Sequence, residues 1–169
     1  RLSGGKPPLT MPVFLSLLSN AGSPPLPVDA PKALPSCPSI DRINKIKSVK
    51  MYNAVPSLSD FSKFGYNAQS KTTHFIGGED EAIKRMEKFL SQKRRVAKYE
   101  KPKTLPTTLE PDSTALSPYT KFGSLSVRLF LSRIKEVYAT CGRDYTKPPV
   151  SLEGQLYWRE LSYLIACSI

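Results

Sequence analysis

Apolar residues fall into two regimes along the chain. From Arg1 to about Ser70 they come in patches, Val13 to Leu18 and Phe61 to Tyr66, between punctuators at Gly4-Gly5, Pro7-Pro8, Gly22, Pro24-Pro25, Pro27, Pro31, Pro35, Pro38 and Pro56. Proline fixes φ and removes a backbone donor, which excludes long helices and central strands here. An extended, loop-rich segment is expected, with Met11 to Leu18 as one short amphipathic helix and the patches docking on neighbouring structure. That run falls short of the roughly 20 apolar residues that span a bilayer, and its Pro-rich flanks make it a poor signal-peptide core.

The second regime has the helical period. Gly77-Gly78 precedes Glu79-Asp80-Glu81, three acids placed where the positive end of a helix dipole stabilises them. Ala82, Ile83, Met86, Phe89 and Leu90 then recur three and four apart. After a Pro-broken connector from Pro102 to Pro111, Ser117-Pro118 marks a helix start, with Ser as cap and Pro at the first helical position. Gly123 interrupts. Leu125 to Cys141 resumes with Leu129, Phe130, Ile134, Val137 and Tyr138 on one side until Gly142 stops it, and Pro148-Pro149 and Ser151 announce a last helix from Leu152 to about Cys167. No strand alternation and no internal repeat appear. The expected fold is mainly α: an irregular proline-rich part over 1–72, then helices over 73–169.

Composition sharpens this division. Nine of the 16 prolines lie between Pro7 and Pro38, so the proline excess belongs to the first part. Lys plus Arg number 25 against 14 acids, a net charge of +11, which favours acidic partners such as nucleic acid. Between Lys84 and Lys103 stand nine positive and two negative side chains, so this segment carries most of that charge. It reads equally as a solvated helix face and as a nucleic-acid contact. Cys37, Cys141 and Cys167 are too far apart and too few for a disulfide framework or a zinc site, and fit a reduced intracellular compartment. His74 is the single histidine, best read as an ordinary loop residue, so no two-histidine metal site exists.

Two stretches carry candidate chemistry. Asp112-Ser113-Thr114-Ala115-Leu116-Ser117-Pro118 sets three hydroxyls ahead of a helix, a pattern that suits a pyrophosphate but is several times commoner as simple capping. In the last helix, at 100° per residue, Gln155, Trp158, Arg159 and Ser162 share a sector, with Leu156, Leu161, Tyr163 and Leu164 elsewhere. An amide, an indole and a guanidinium side by side can read a planar heterocycle and hold a phosphate; a buried Trp beside an Arg–Glu pair is the plainer alternative.

Four motifs in order resemble the photolyase/cryptochrome family, with the closest likeness to animal (6-4) photolyases and animal cryptochromes. They are Phe75-Ile76-Gly77-Gly78-Glu79-Asp80-Glu81-Ala82; Tyr99-Glu100-Lys101-Pro102; Leu116-Ser117-Pro118-Tyr119-Thr120-Lys121-Phe122-Gly123-Ser124-Leu125-Ser126; and Pro148-Pro149-Val150-Ser151-Leu152-Glu153-Gly154-Gln155-Leu156-Tyr157-Trp158-Arg159-Glu160. Gly4-Gly5-Lys6-Pro7-Pro8-Leu9-Thr10 also looks like the family's connector. The resemblance is weakest between about Ser36 and Thr73. It implies an interdomain connector over 1–72 and the first helices of an all-helical FAD-binding domain over 73–169, without the antenna domain or the later part of the helical domain. The start at Arg1, without an initiator methionine, and the ending Ala166-Cys167-Ser168-Ile169 fit a partial chain.

Carried over by position, the resemblance implies that Lys101, Ser113, Thr114, Ala115, Leu116 and Ser117 approach the FAD phosphates. It implies that Gln155, Trp158 and Arg159 line the cofactor cavity, with Gln155 and Trp158 towards the damaged bases and Arg159 towards the cofactor. No catalytic residue and no metal ligand falls in this span. The implied activity is light-dependent repair of UV-damaged DNA by electron transfer from the flavin to a flipped photoproduct. The alternative is a cryptochrome, a blue-light receptor or circadian regulator acting through clock proteins. A nuclear location follows from the resemblance and the basic charge, and the chain alone, with half a cavity, is expected to have negligible affinity for FAD and to be inactive. Leu161-Ser162-Tyr163-Leu164 departs from the family's two aromatics, Tyr and Thr, and Ser124 stands where Cys is frequent; these changes are expected beside the cavity.

Overall fold

The structure is a computed structural model that describes residues 6–33, 35–36, 63–65, 76–101, 105, 107–108 and 112–168. Gly4-Gly5, Cys37, His74, Phe75, Pro102, Lys103 and Pro111 lie outside the described residues, as does the Phe61 to Tyr66 patch apart from 63–65. The described elements are all helical: α1 Met11–Ala21, α2 Glu79–Leu90, α3 Lys93–Ala97, α4 Ser117–Phe122, α5 Val127–Thr140 and α6 Leu152–Ala166. The chain divides into two compact units, one of residues 1–28 with 77–169, the other of residues 29–76. In the second, the Lys63 ammonium sits 5.2 Å from the Phe64 ring centroid.

In the first unit α5 is the hub, packing against α2, α3 and α6. It forms because Ser126 caps it, its hydroxyl accepting from the Leu129 N–H at 3.3 Å. Its buried stripe is Phe130, Leu131, Ile134, Val137 and Tyr138. Leu131 takes the buried place expected of Leu129, which is only half-buried. Around α5 gather Ala82, Met86, Phe89 and Leu90 of α2, Val96 of α3, Leu116 and Tyr119 near α4, and Leu152 and Leu156 of α6.

The acids Glu79, Asp80 and Glu81 do occupy the first turn of α2. The basic segment beyond it is two helices. Gln92 leaves the helical region at φ −82°, ψ 62°, and its carbonyl accepts from Val96 N–H to start α3 in a new direction. That break lets Leu90 and Val96 both turn inward, which an unbroken helix, placing residues six apart about 120° from one another, would not allow. The Thr146 N–H then donates to the Ala97 carbonyl at 2.8 Å and ties the end of α3 to the loop before α6. Arg133 bridges α5 to Glu87 of α2 at 2.7 Å, an exposed pair that adds little.

Helix α1 carries Pro12 in its first turn and buries Met11 and Phe14 against Leu161 of α6, with Leu15, Leu18, Tyr157 and Ile165 packed around them. Helix α6 begins at Ser151, which is fully buried and accepts from the Gly154 N–H at 3.1 Å. At Gly154 a Cβ would lie 2.2 Å from the Pro149 carbonyl oxygen, so the close approach of loop and helix requires glycine. In the same region the Tyr138 and Tyr145 rings stack at 4.2 Å. The Tyr138 hydroxyl is buried without a hydrogen-bond partner among the described residues. Burial raises its pKa, offset in part by the nearby Glu153 backbone and Ser151 hydroxyl, neither of which closes a bond.

Two outcomes are expected. Gly154→Ala should lower the melting temperature by roughly 3–10 °C, since overpacking against backbone costs about 1–3 kcal/mol. Tyr138→Phe keeps the stacked ring and removes an unpaired hydroxyl, so denaturant unfolding at neutral pH should show unchanged or slightly raised stability. An unfolded tyrosine ionises near pH 10, whereas folded Tyr138 holds its proton to higher pH. Native stability therefore falls as pH rises through and beyond about 10, and Tyr138→Phe should make that fall shallower.

Candidate functional site

The loop before α4 folds on its own hydroxyls. The Ala115 N–H donates to Ser113 Oγ and the Leu116 N–H to Thr114 Oγ1, each at 3.3 Å. Among the described residues neither hydroxyl donates, which leaves both protons for an outside acceptor. Ala115 adopts a positive φ of 53°, an uncommon choice for a residue with a side chain, and Leu116 is anchored in the core. Arg95 of α3 pairs with Asp112 at the start of the loop.

Ser117 does not cap α4 as its position before Pro118 suggests. Leu116 is already in the right-handed helical region, and its carbonyl accepts from the Thr120 N–H, so the first turn starts one residue earlier and leaves the Ser117 side chain exposed. Gly123, left-handed at φ 77°, ends α4 and leaves Lys121 in its last turn.

This loop faces α6 across an open cleft of about 390 Å³. Ser113, Thr114, Ala115, Leu116 and Ser117 line one side; Leu152, Gln155, Leu156, Arg159 and Tyr163 line the other; Tyr99, Thr120, Lys121 and Phe130 complete it. The expected loop and two of the three expected α6 residues are thus brought together. Lys101 and Trp158 are not in the lining: Lys101 is exposed, and Trp158 is 46% exposed on a different face of α6.

Tyr163 is the residue that the helical arithmetic misassigns. Gln155, Arg159 and Tyr163 stand four apart, which advances only 40° per step, so the stripe that meets the cleft runs through Tyr163 and away from Trp158. The i, i+4, i+8 spacing was the available signal. The Arg159 guanidinium lies 4.5 Å from the Tyr163 ring centroid, pairs with Glu160, and sits 3.4 Å from the Thr120 carbonyl. Lys121 Nζ approaches the Tyr163 hydroxyl at 3.4 Å and the ring centroid at 5.4 Å. Nothing local marked Lys121 and Thr120; their place depends on α4 meeting α6. Burial raises the Tyr99 pKa, with Arg95 lowering and Asp112 raising it, so this tyrosine of the lining stays neutral.

The changes at Ser124, Leu161, Ser162 and Leu164 do not line the cleft, contrary to expectation. Leu161 turns the other way to meet α1, and Ser162 and Leu164 are exposed. Only Tyr163 of that tetrapeptide reaches it. Among the described residues no group of acids, cysteines and histidines could hold a metal, Cys141 and Cys167 are free thiols, and no helix is long and apolar enough to cross a membrane.

The cleft thus sets hydroxyl donors, a guanidinium, an ammonium and an amide over an apolar floor, groups that can meet an anionic and planar ligand. No protein-family model matches the chain. It is 39% identical over 167 residues to a (6-4)DNA photolyase of Oryza sativa subsp. japonica, and 41% identical over 167 residues to one of Arabidopsis thaliana. It is also 36% identical over 168 residues to Cryptochrome-2 of Gallus gallus. These alignments cover 97–98% of the chain, whereas the chain spans only 28% of each relative's length. The chain matches a segment of the photolyase/cryptochrome family.

Proposed function

We propose that the cleft receives the phosphate and ring portions of FAD, and that the protein serves light-dependent repair of UV-damaged DNA in the manner of a (6-4) photolyase. The observation that carries this reading is the convergence of the Ser113 to Ser117 loop with Gln155 and Arg159 on one cleft. The donor set fits the cofactor. Ser113 and Thr114 can donate to phosphate oxygens, Arg159 and Lys121 supply positive charge, and Leu152, Leu156 and Phe130 give an apolar floor for a ring. A volume of about 390 Å³ lies at the low end of small-molecule sites, so the cleft suits part of a dinucleotide and weak binding.

When bound, a photoexcited reduced flavin supplies the electron that repair needs. This chain's own residues hold and orient: Arg159 is fixed by Glu160 and the Tyr163 ring so that its charge stays at the cleft, and Gln155 presents its amide one turn away. Trp158, exposed outside the cleft, is free to meet a base displaced from the duplex. A nuclear location accords with this use of DNA. The cryptochrome relatives support a second reading, a light receptor or clock regulator acting through protein partners.

Titration of the chain with FAD, followed by flavin fluorescence, tests the cleft. Arg159→Ala should weaken binding roughly tenfold and Trp158→Ala less than about twofold. FAD binding unaffected by Arg159→Ala would remove the reading. Blue-light repair of an oligonucleotide carrying a (6-4) photoproduct then separates the two functions, because only the repair enzyme restores the bases.

A further inference from the structure

Helix α1 is followed by a segment that the helical core does not use. Gly22, at φ 85°, ends α1 with its N–H on the Leu18 carbonyl, and Ser23-Pro24-Pro25-Leu26-Pro27-Val28 then runs on without helix or strand. Its covalent structure leaves it little choice of conformation. Pro24, Pro25 and Pro27 hold φ near about −65°, and Ser23, Pro24 and Leu26, each preceding a proline, are pushed out of the helical region. The backbone is thereby committed to an extended, left-handed polyproline helix. Among the described residues no hydrogen bond uses the backbone of 23–28, so its carbonyls remain open as acceptors. Pro24 and Pro25 are exposed, and Leu26 and Val28 are 77% and 88% exposed although apolar. A shallow cavity of about 310 Å³ lies between the segment and Leu131, Lys135 and Ala139 of α5. Packing within the unit gives Leu26 and Val28 no reason to be apolar.

The chemistry of the segment selects its partner. Joining a sheet edge needs backbone N–H donors, and three of these six residues have none. Docking as an amphipathic helix is closed to a chain with prolines at this spacing. A phosphate or a lipid headgroup needs cations, and none stands between Gly22 and Pro31. What remains is recognition as a preformed polyproline helix, by a groove whose aromatic rings stack on proline and leucine and whose donors reach the open carbonyls. A groove that also reads a basic residue beside the prolines meets only Asp29 here. We propose that Pro24-Pro25-Leu26-Pro27 is a docking ligand for a proline-reading domain of the WW type, presented from the end of α1. The proposal rests on this segment alone and not on what fills the cleft.

Fluorescence anisotropy of a dye-labelled WW domain that binds proline–leucine ligands, titrated with the whole chain, tests it. Saturable binding is expected. Combined Pro25→Ala and Pro27→Ala should weaken it roughly tenfold, and Leu26→Ala, which leaves the backbone locked, roughly threefold. These residues lie outside the helices and the core, so an unchanged helical circular dichroism spectrum confirms that each variant is folded. The contact pairs no charges, so affinity should change less than about twofold between about 50 and 200 mM salt. Absence of binding, or wild-type affinity in the double proline variant, would overturn the proposal. So would binding lost at the higher salt, because the chain's basic charge would then be the attraction. Binding to a peptide of residues 22–30 but not to the chain would overturn it as well, because the segment would then be covered.

Discussion

The contact of Gly154 with the Pro149 backbone sets the position on which the cleft depends. A carbonyl that a Cβ would approach to 2.2 Å leaves α6 one way to leave its loop, and the buried Ser151 hydroxyl fixes the first turn by accepting the Gly154 N–H. From that start, Gln155, Arg159 and Tyr163 follow at helical spacing along the cleft, while Leu161 falls on the opposite side against α1. A rotation of α6 by one residue, 100°, would carry the guanidinium out of the cleft. The chemistry of the site is therefore set by a steric contact several residues upstream that itself touches no ligand.

Electrostatics at the cleft is concentrated on one aromatic ring. Tyr163 lies near both Arg159 and Lys121, two like charges that would separate without something to hold them. Glu160 and the Thr120 carbonyl hold the first, and the Tyr163 hydroxyl holds the second. The tyrosine thus couples the end of α4 to the middle of α6, so the hydroxyl loop and the basic helix face keep a constant separation.

Much of the local structure was legible in the sequence, because capping and helical period are local signals. Ser151 caps where the sequence announces a helix, α5 starts at Val127 behind the Ser126 cap rather than at Leu125, and its buried stripe differs from the pattern only by exchanging Leu129 for Leu131. What escaped depends on tertiary contact. The break at Gln92 has no glycine or proline to announce it; it follows from both Leu90 and Val96 burying. In the site, the loop from Ser113 to Ser117 and the pair Gln155 and Arg159 were legible from residue type and order. Lys121 carries no local signal and Tyr163 only its helical spacing, since only the crossing of α4 and α6 gives them a common task; Trp158 lies outside the lining because its face of α6 turns away, and Lys101 lies exposed in the loop after α3.

The packing of α1 on α6 joins Met11 and Phe14 to Leu161, partners about 150 residues apart in the chain. Helices α2, α3 and α5 pack with neighbours much nearer in sequence. Closing so long a loop carries an entropic cost that only the completed apolar contact repays. Helix α1, synthesised well before the helix it packs against, is therefore among the last of these helices to reach its place. Until α6 has emerged and turned Leu161 towards it, the apolar side of α1 has no site on this unit, and the back of the cleft helix stays open to water.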